Sequence, residues 1–164
     1  MMQLAKPLTL ASGSAVRASL LRGAGLDFQI IVPQVDESLI KQEYHAQHAQ
    51  KNVEKLALIL AQAKAHAVRV DGLVIGADQL LQCDGRLFDK PRNMDEARHN
   101  LQIFRGRKHQ LIGGVVLAQS GKIIWQHVAQ VDLTMRDFSD DFLEAYLAEV
   151  GDKILASVGG YQLE

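Results

Sequence analysis

Only one cysteine, Cys83, stands among the 164 residues, so no disulfide can close within the chain. That excludes the disulfide-held framework of many small secreted domains and leaves a reducing, cytoplasmic setting as the expectation. No apolar run is long enough to span a bilayer, and the opening MMQLAKPLTLASGS lacks an apolar core of signal-peptide length. No membrane partner is expected. Neither sign of charge is in excess, because 18 Lys and Arg face 19 Asp and Glu, for a net charge of −1. A whole-surface nucleic-acid binder would carry a basic surplus, so nucleic acid is not an expected partner, although a local cationic pocket is compatible with the balance. Internal repeats and low-complexity tracts are absent. So are a Walker A loop and any Ser-His-Asp or Cys-His arrangement that spacing could support. His45 and His48 lie three apart, but no third ligand is evident for zinc.

What is present suits one domain with room for two lobes around a cleft. Hydrophobic residues make up 48% and charged residues 23%, enough for a core under a polar surface. The stretch from Gly72 to Pro91, GLVIGADQLLQCDGRLFDKP, organises the rest. Leu73-Val74-Ile75 reads as a buried strand that ends in Gly76-Ala77-Asp78. Leu80-Leu81 then leads to Asp84-Gly85, a hairpin-turn signal, and the return arm reaches Lys90-Pro91. Asp78 and Lys90 are therefore expected on neighbouring extended segments near one end of a sheet, where a carboxylate and an ammonium suit a metal-bound phosphate. A turn acid plus a surface lysine is the equally weighted alternative.

Upstream, Leu8–Ala11 reads as a strand, Ser12-Gly13-Ser14 as a loop and Ala15–Leu21 as a helix capped by Ser14. Free N–H groups at such a helix start form an anion site. Arg17 in the first helical turn opposes the dipole, which points either to an anionic ligand or to a solvated surface arginine. Phe28–Val32 reads as a second strand ended by Pro33. Asp36-Glu37 then fits either a divalent-cation site or the first turn of the next helix. Residues from about Gln50 to Val70 read as the longest helix, with Val53, Leu56, Ala57, Leu60 and Ala67 on its apolar stripe. Lys64 falls on that stripe, so it either snorkels to water or meets a negative partner.

Asn93 and Glu96 resemble a capping box, opening a helix with Met94, Ala97, Leu101 and Phe104 on one side. Arg105-Gly106-Arg107-Lys108-His109 follows, readable as complementation of a helix C-terminus or as a phosphate site. Gln110–Ala118 and Lys122–Thr134 form a long hairpin around Ser120-Gly121. Ser139 caps a helix through Val150 that buries Phe142, Leu143, Tyr146 and Leu147.

These pieces in this order resemble the Maf family, the septum-formation-inhibitor-like nucleoside triphosphate pyrophosphatases. The resemblance rests on LASGSAVRASLL, VDES, Ala63-Lys64-Ala65, GADQ, DG…DKP, EAR, GRKH and GGYQLE. It implies a single Maf-like domain over 1–164 with an α/β fold: a central mixed, twisted sheet flanked by helices, in two lobes around a nucleotide cleft. It implies hydrolysis of a nucleoside triphosphate to the monophosphate and pyrophosphate with a divalent cation, Mg²⁺ or Mn²⁺, and a homodimer. By the same resemblance Asp78 is the proton acceptor, and Glu37 with Asp78 holds the metal. Ser12, Arg17, Lys64 and Lys90 bind substrate. Val16, Gln79 and Glu164 are the specificity positions. Gln79 and Glu164 resemble the branch acting on 7-methyl-GTP, whereas Val16 replaces the arginine usual in the first loop. A dTTP, UTP or ITP pyrophosphatase, or a low-activity nucleotide-binding protein linked to cell division, is the alternative. The family pattern also implies a further stretch of sheet and helix beyond Glu164.

Overall fold

The computed structural model describes residues 6–48 and 52–161. One mixed sheet carries the fold. Strands β1 (Leu8–Ala11), β2 (Gln29–Ile30), β3 (Leu73–Cys83), β4 (Arg86–Phe88), β5 (Lys108–Gln119) and β6 (Lys122–Thr134) lie in the order β2-β1-β3-β5-β6, with β4 also on β3. β1 pairs in parallel with β2 (Thr9↔Gln29) and with β3 (Leu8↔Leu73 through Ala11↔Gly76). β4 pairs antiparallel with β3, Leu81 opposite Phe88. Both hairpin turns use two left-handed residues, Asp84-Gly85 (φ 49° and 73°) and Ser120-Gly121 (φ 49° and 73°), as tight two-residue connections require.

Helices α1 (Ala15–Gly23), α2 (Glu37–Gln47), α3 (Val53–Ala67), α4 (Met94–Phe104) and α5 (Asp140–Val150) accompany the sheet, followed by 3₁₀ turns at Gly151–Ala156 and Val158–Gly160. The α/β architecture with helices flanking a mixed sheet is as expected. The chain divides into two compact units, Met1–Asp78 with Gly113–Ala129, and Gln79–Ile112 with Gln130–Glu164.

In the first unit, α3 lies on the sheet through Ala61, Ala65, Val74, Val116, Ala118 and Ala11, all buried. Close approach explains the glycines there. A Cβ on Gly114 would sit 2.6 Å from the Ala57 backbone, and one on Gly76 would fall on the Ala61 carbonyl oxygen. Gly76 is therefore a contact point within a continuous strand. The expectation that β3 breaks at Gly76-Ala77-Asp78 is corrected, and Asp78 lies mid-strand rather than at a sheet end.

Three other expectations change. The helix expected over Gln50–Val70 runs over Val53–Ala67, where Asn52 caps it by accepting the Lys55 N–H at 2.8 Å. Ala67 is exposed, because the helix stops there and the chain turns in through buried Val68. Before it stands α2, the helix that one reading of Asp36-Glu37 allows, which continues into the polar run QEYHAQHAQ as far as Gln47. Asp36 caps α2 from the Leu39 N–H at 3.0 Å, and buried Tyr44 pins it by donating to the Asn52 carbonyl at 2.9 Å. The second strand shrinks to Gln29–Ile30, an exposed edge pair that Pro33, lacking an N–H, cannot extend.

The second unit packs α4 on α5 through Ala97, Leu101, Leu143, Leu147 and Ile154. Beside them Leu81, Cys83, Phe88 and Phe104 form a second cluster. Phe142 is 47% exposed, contrary to expectation. Leu143 and Leu147 occupy the inward row at i,i+4, and a residue one step back is rotated off it by about 100°. Asn93 caps α4 as expected, but Glu96 accepts from the Arg92 N–H at 2.9 Å, so the reciprocal bond falls one residue early.

Candidate active site

The first unit gathers most of the expected site residues around one ammonium. β3 alternates, and its residues Val74, Gly76 and Asp78 share the face that meets α3. Since Gly76 has no side chain, Ala61 comes down on it, and Lys64, one turn along α3, arrives beside Asp78. The Lys64 Nζ lies 2.5 Å from Asp78 Oδ1 and 2.8 Å from Glu37 Oε1. Lys64 and Asp78 are 8% and 7% exposed, whereas the Glu37 side chain is 43% exposed. Lys64 on an apolar stripe thus meets negative partners rather than snorkelling. Glu37 opens α2, in keeping with its first-turn reading, and its carboxylate also reaches Lys64.

Ser12 and Arg17 form the adjoining wall. Ser12, buried at the end of β1, accepts from the Ser14 N–H at 3.2 Å and from Arg17 Nη1 at 3.1 Å. Ser14 caps α1 by accepting the Arg17 N–H at 3.4 Å. The guanidinium is folded back over its own helix start, onto the Ser12 hydroxyl.

Electrostatics distinguish these groups. Burial pushes the Asp78 carboxyl above its usual range; Lys64 pulls it back down, and the like charge of Glu37 adds to the rise. Burial lowers the Arg17 guanidinium, while Asp78 and Glu37 oppose that effect. A buried acid raised toward neutrality is suited to accept a proton, and the two cations are suited to hold anionic oxygens.

Other expected residues lie elsewhere. Val16 is exposed on α1 (54%). Gln79 is exposed in the part of β3 belonging to the second unit, and Lys90 is exposed beyond β4 in that unit. Glu164 lies outside the described residues. The basic run after α4 is engaged by carboxylates, with Arg105 on Asp140 at 2.6 Å and Arg107 on Asp84 at 2.7 Å. His109 is buried with Nε2 at 2.6 Å from the Tyr161 hydroxyl. His48 stacks on Tyr44 and approaches the Lys55 Nζ through Nε2 at 3.2 Å. Sequence reasoning reads Gly76 as a small residue that ends a strand and leaves room for a ligand beside Asp78, and it misses Gly76 as the residue on which α3 is seated. Its signal was the alanine spacing Ala57, Ala61, Ala65 on the helix opposite it.

Among the described residues no group of three or more His, Cys, Asp and Glu is placed to enclose a metal. Two carboxylates converging on one cation nonetheless fit a hard divalent ion. Mg²⁺ is commonly held by one or two carboxylates together with waters and substrate phosphates, not by an all-protein cage. Among the described residues no helix is long and apolar enough to cross a membrane.

Residues 7–164 match the family described as Maf-like protein. The chain is 45% identical over 160 residues to a nucleoside triphosphate pyrophosphatase of Granulibacter bethesdensis, covering 96% of this chain and 80% of that one. It is 42% identical over 163 residues to a 7-methyl-GTP pyrophosphatase of Rhizobium meliloti, covering 97% and 81%. The solved Ham1 protein of Staphylococcus aureus is similar at a TM-score of 0.48 and 14% identity, over 80% of this chain and 73% of that one, a likeness too slight to carry an argument.

Proposed function

The chain belongs to the Maf family, and on that premise we propose that it is a nucleoside triphosphate pyrophosphatase, a hydrolase of phosphoric anhydrides. The observation that carries the reading is the Lys64 ammonium held at 2.5 Å and 2.8 Å by a buried and a half-exposed carboxylate, beside Ser12 and Arg17. Water attacks the α-phosphorus, a new P–O bond forms, the bond from that phosphorus to the bridging oxygen breaks, and pyrophosphate leaves. Asp78 takes the proton of the attacking water, a role that its raised pKa supports, because a base works best near the operating pH. Arg17, Lys64 and Lys90 stabilise charge moving onto the leaving group, with Ser12 and the α1 N–H groups holding phosphate oxygens. Asp78 and Glu37 would hold Mg²⁺ or Mn²⁺. When bound, such an ion lowers the pKa of water and neutralises phosphate oxygens.

For the base, the reading is a guanine nucleotide such as 7-methyl-GTP. A relative bearing that name is 42% identical, and Gln79 and Glu164 are the residues that would read the ring. A carboxylate pairs with guanine N–H donors and with the positive charge of an N7-methylated ring. The test is product analysis with Mg²⁺ or Mn²⁺ over 7-methyl-GTP, GTP, dTTP, UTP, CTP and ITP. Monophosphate plus pyrophosphate, fastest from 7-methyl-GTP, is the expected result. Diphosphate plus orthophosphate would place the cleavage at the wrong bond, and a preference for dTTP, UTP or ITP would overturn the base assignment. A homodimer and a cytoplasmic setting complete the proposal.

A further inference from the structure

The two carboxylates that would hold a metal are already holding something. Lys64 Nζ sits 2.5 Å from Asp78 Oδ1 and 2.8 Å from Glu37 Oε1, at the point where both acids converge. Asp78 is 7% exposed, and a carboxylate so buried needs a neighbouring positive charge. An ammonium and a divalent cation cannot share that point, because both are positive and both demand the same oxygens. Arg17 also lies within electrostatic reach of both acids, but its Nη1 bond goes to Ser12 Oγ at 3.1 Å, and the cation that touches the two carboxylates is Lys64.

We propose that Lys64 is a resident counter-ion that occupies the metal position and cedes it when a phosphate takes its ammonium. The inference deepens the pyrophosphatase reading and rests on it. Lysine suits this task because its charge rides on a four-carbon stem, so Nζ can swing while the stem stays packed on α3. The stripe that buries Lys64, with Leu60 and Ala61 at 0% exposure, anchors the stem and leaves the ammonium as the movable part. The exchange keeps charge balanced at both ends. The carboxylates trade one cation for another, and the phosphate gains the ammonium released. Metal and triphosphate must then bind with positive coupling, each favouring the state the other needs. A second consequence is that without nucleotide the site resists filling by free metal.

The test is Mn²⁺ binding followed by electron paramagnetic resonance, with and without α,β-methylene-GTP, a triphosphate whose α–β link cannot be hydrolysed. Wild type should bind Mn²⁺ weakly alone and at least about tenfold more tightly with the analogue. Lys64→Met and Lys64→Gln, checked for folding by circular dichroism, should bind Mn²⁺ alone at least about tenfold more tightly than wild type and show a smaller enhancement, the part that remains coming from the phosphates' own coordination of the ion. Two variants of different polarity guard against one of them misfolding. A measurement on wild type alone serves if both do: the Lys64 ammonium resonance should shift when the analogue is added without metal. Variants that bind Mn²⁺ no more tightly than wild type, or an unmoved ammonium resonance, would overturn the proposal. Failure of the underlying reading looks different, since wild type would then release no pyrophosphate from any nucleotide tested.

Discussion

Gly76 lies directly against Ala61, whose carbonyl oxygen occupies the place a Gly76 Cβ would take. That contact lets α3 settle on β3 and brings Lys64 to Asp78. Gly76→Ala should therefore push helix and strand apart. The expected loss is about 1–3 kcal/mol, the usual range for overpacking a tight core. Chemical denaturation measures it, and activity should fall further than stability alone explains. A variant as stable and active as wild type would mean that the contact does not set the site.

Removing the acid while keeping its shape separates chemistry from folding. Asp78→Asn should lower turnover by about 10²–10⁴-fold, the range for losing a general base, with the melting transition retained. Turnover within a factor of two of wild type would take Asp78 out of the mechanism.

The pH dependence of the reaction follows from the same residue. Asp78 must be ionised to accept a proton, and burial raises its pKa above 3.8. Activity should be present above that raised value and lost as pH falls through it, so the acid limb of kcat/KM lies above the ordinary aspartate range. Stability runs the other way. The folded state binds the Asp78 proton more tightly than the unfolded chain does. This contribution is therefore complete below 3.8 and lost as pH rises through the raised pKa. Wild type minus Asp78→Asn, measured by denaturation across acid pH, isolates it.

His109 should make the opposite contribution. Burial lowers its pKa from 6.5, the Arg107 backbone only partly opposing this, so the unfolded chain takes up the proton first. Stability from this residue is complete above 6.5 and declines as pH falls through the lowered value. Denaturation of wild type and His109→Gln between pH 5 and 7, roughly the range where an unperturbed histidine changes charge, should show a slope in the first that is reduced in the second. Parallel slopes would assign the titration elsewhere.

Much of this was legible in the chain because local chemistry and tertiary need coincide. Ser14 caps α1, Asn93 caps α4 and Ser139 caps α5, each as its side chain suggests. Lys64 was visible as a cation on an apolar stripe. What stayed hidden depended on partners distant in sequence. α2 buries only Tyr44 fully, so how far it runs is not evident until Asn52 is seen to receive that hydroxyl. Gly76 resembles a strand end until Ala61 lies on it. Nothing local says that Glu37 will reach across to Lys64, 27 positions later, or that Arg17 will turn back on Ser12.

Cys83 gives the protein a clock of its own. It is the sole thiol, 2% exposed, donating to the Lys108 carbonyl at 3.5 Å, and burial raises its pKa. A folded molecule therefore offers a thiol reagent almost nothing, since the reactive species is an accessible thiolate. Labelling waits on opening of the cluster formed with Leu81, Phe88 and Phe104. The rate at which an unmodified sample takes up a chromogenic disulfide then times how often that part of the molecule comes apart, with no engineered probe.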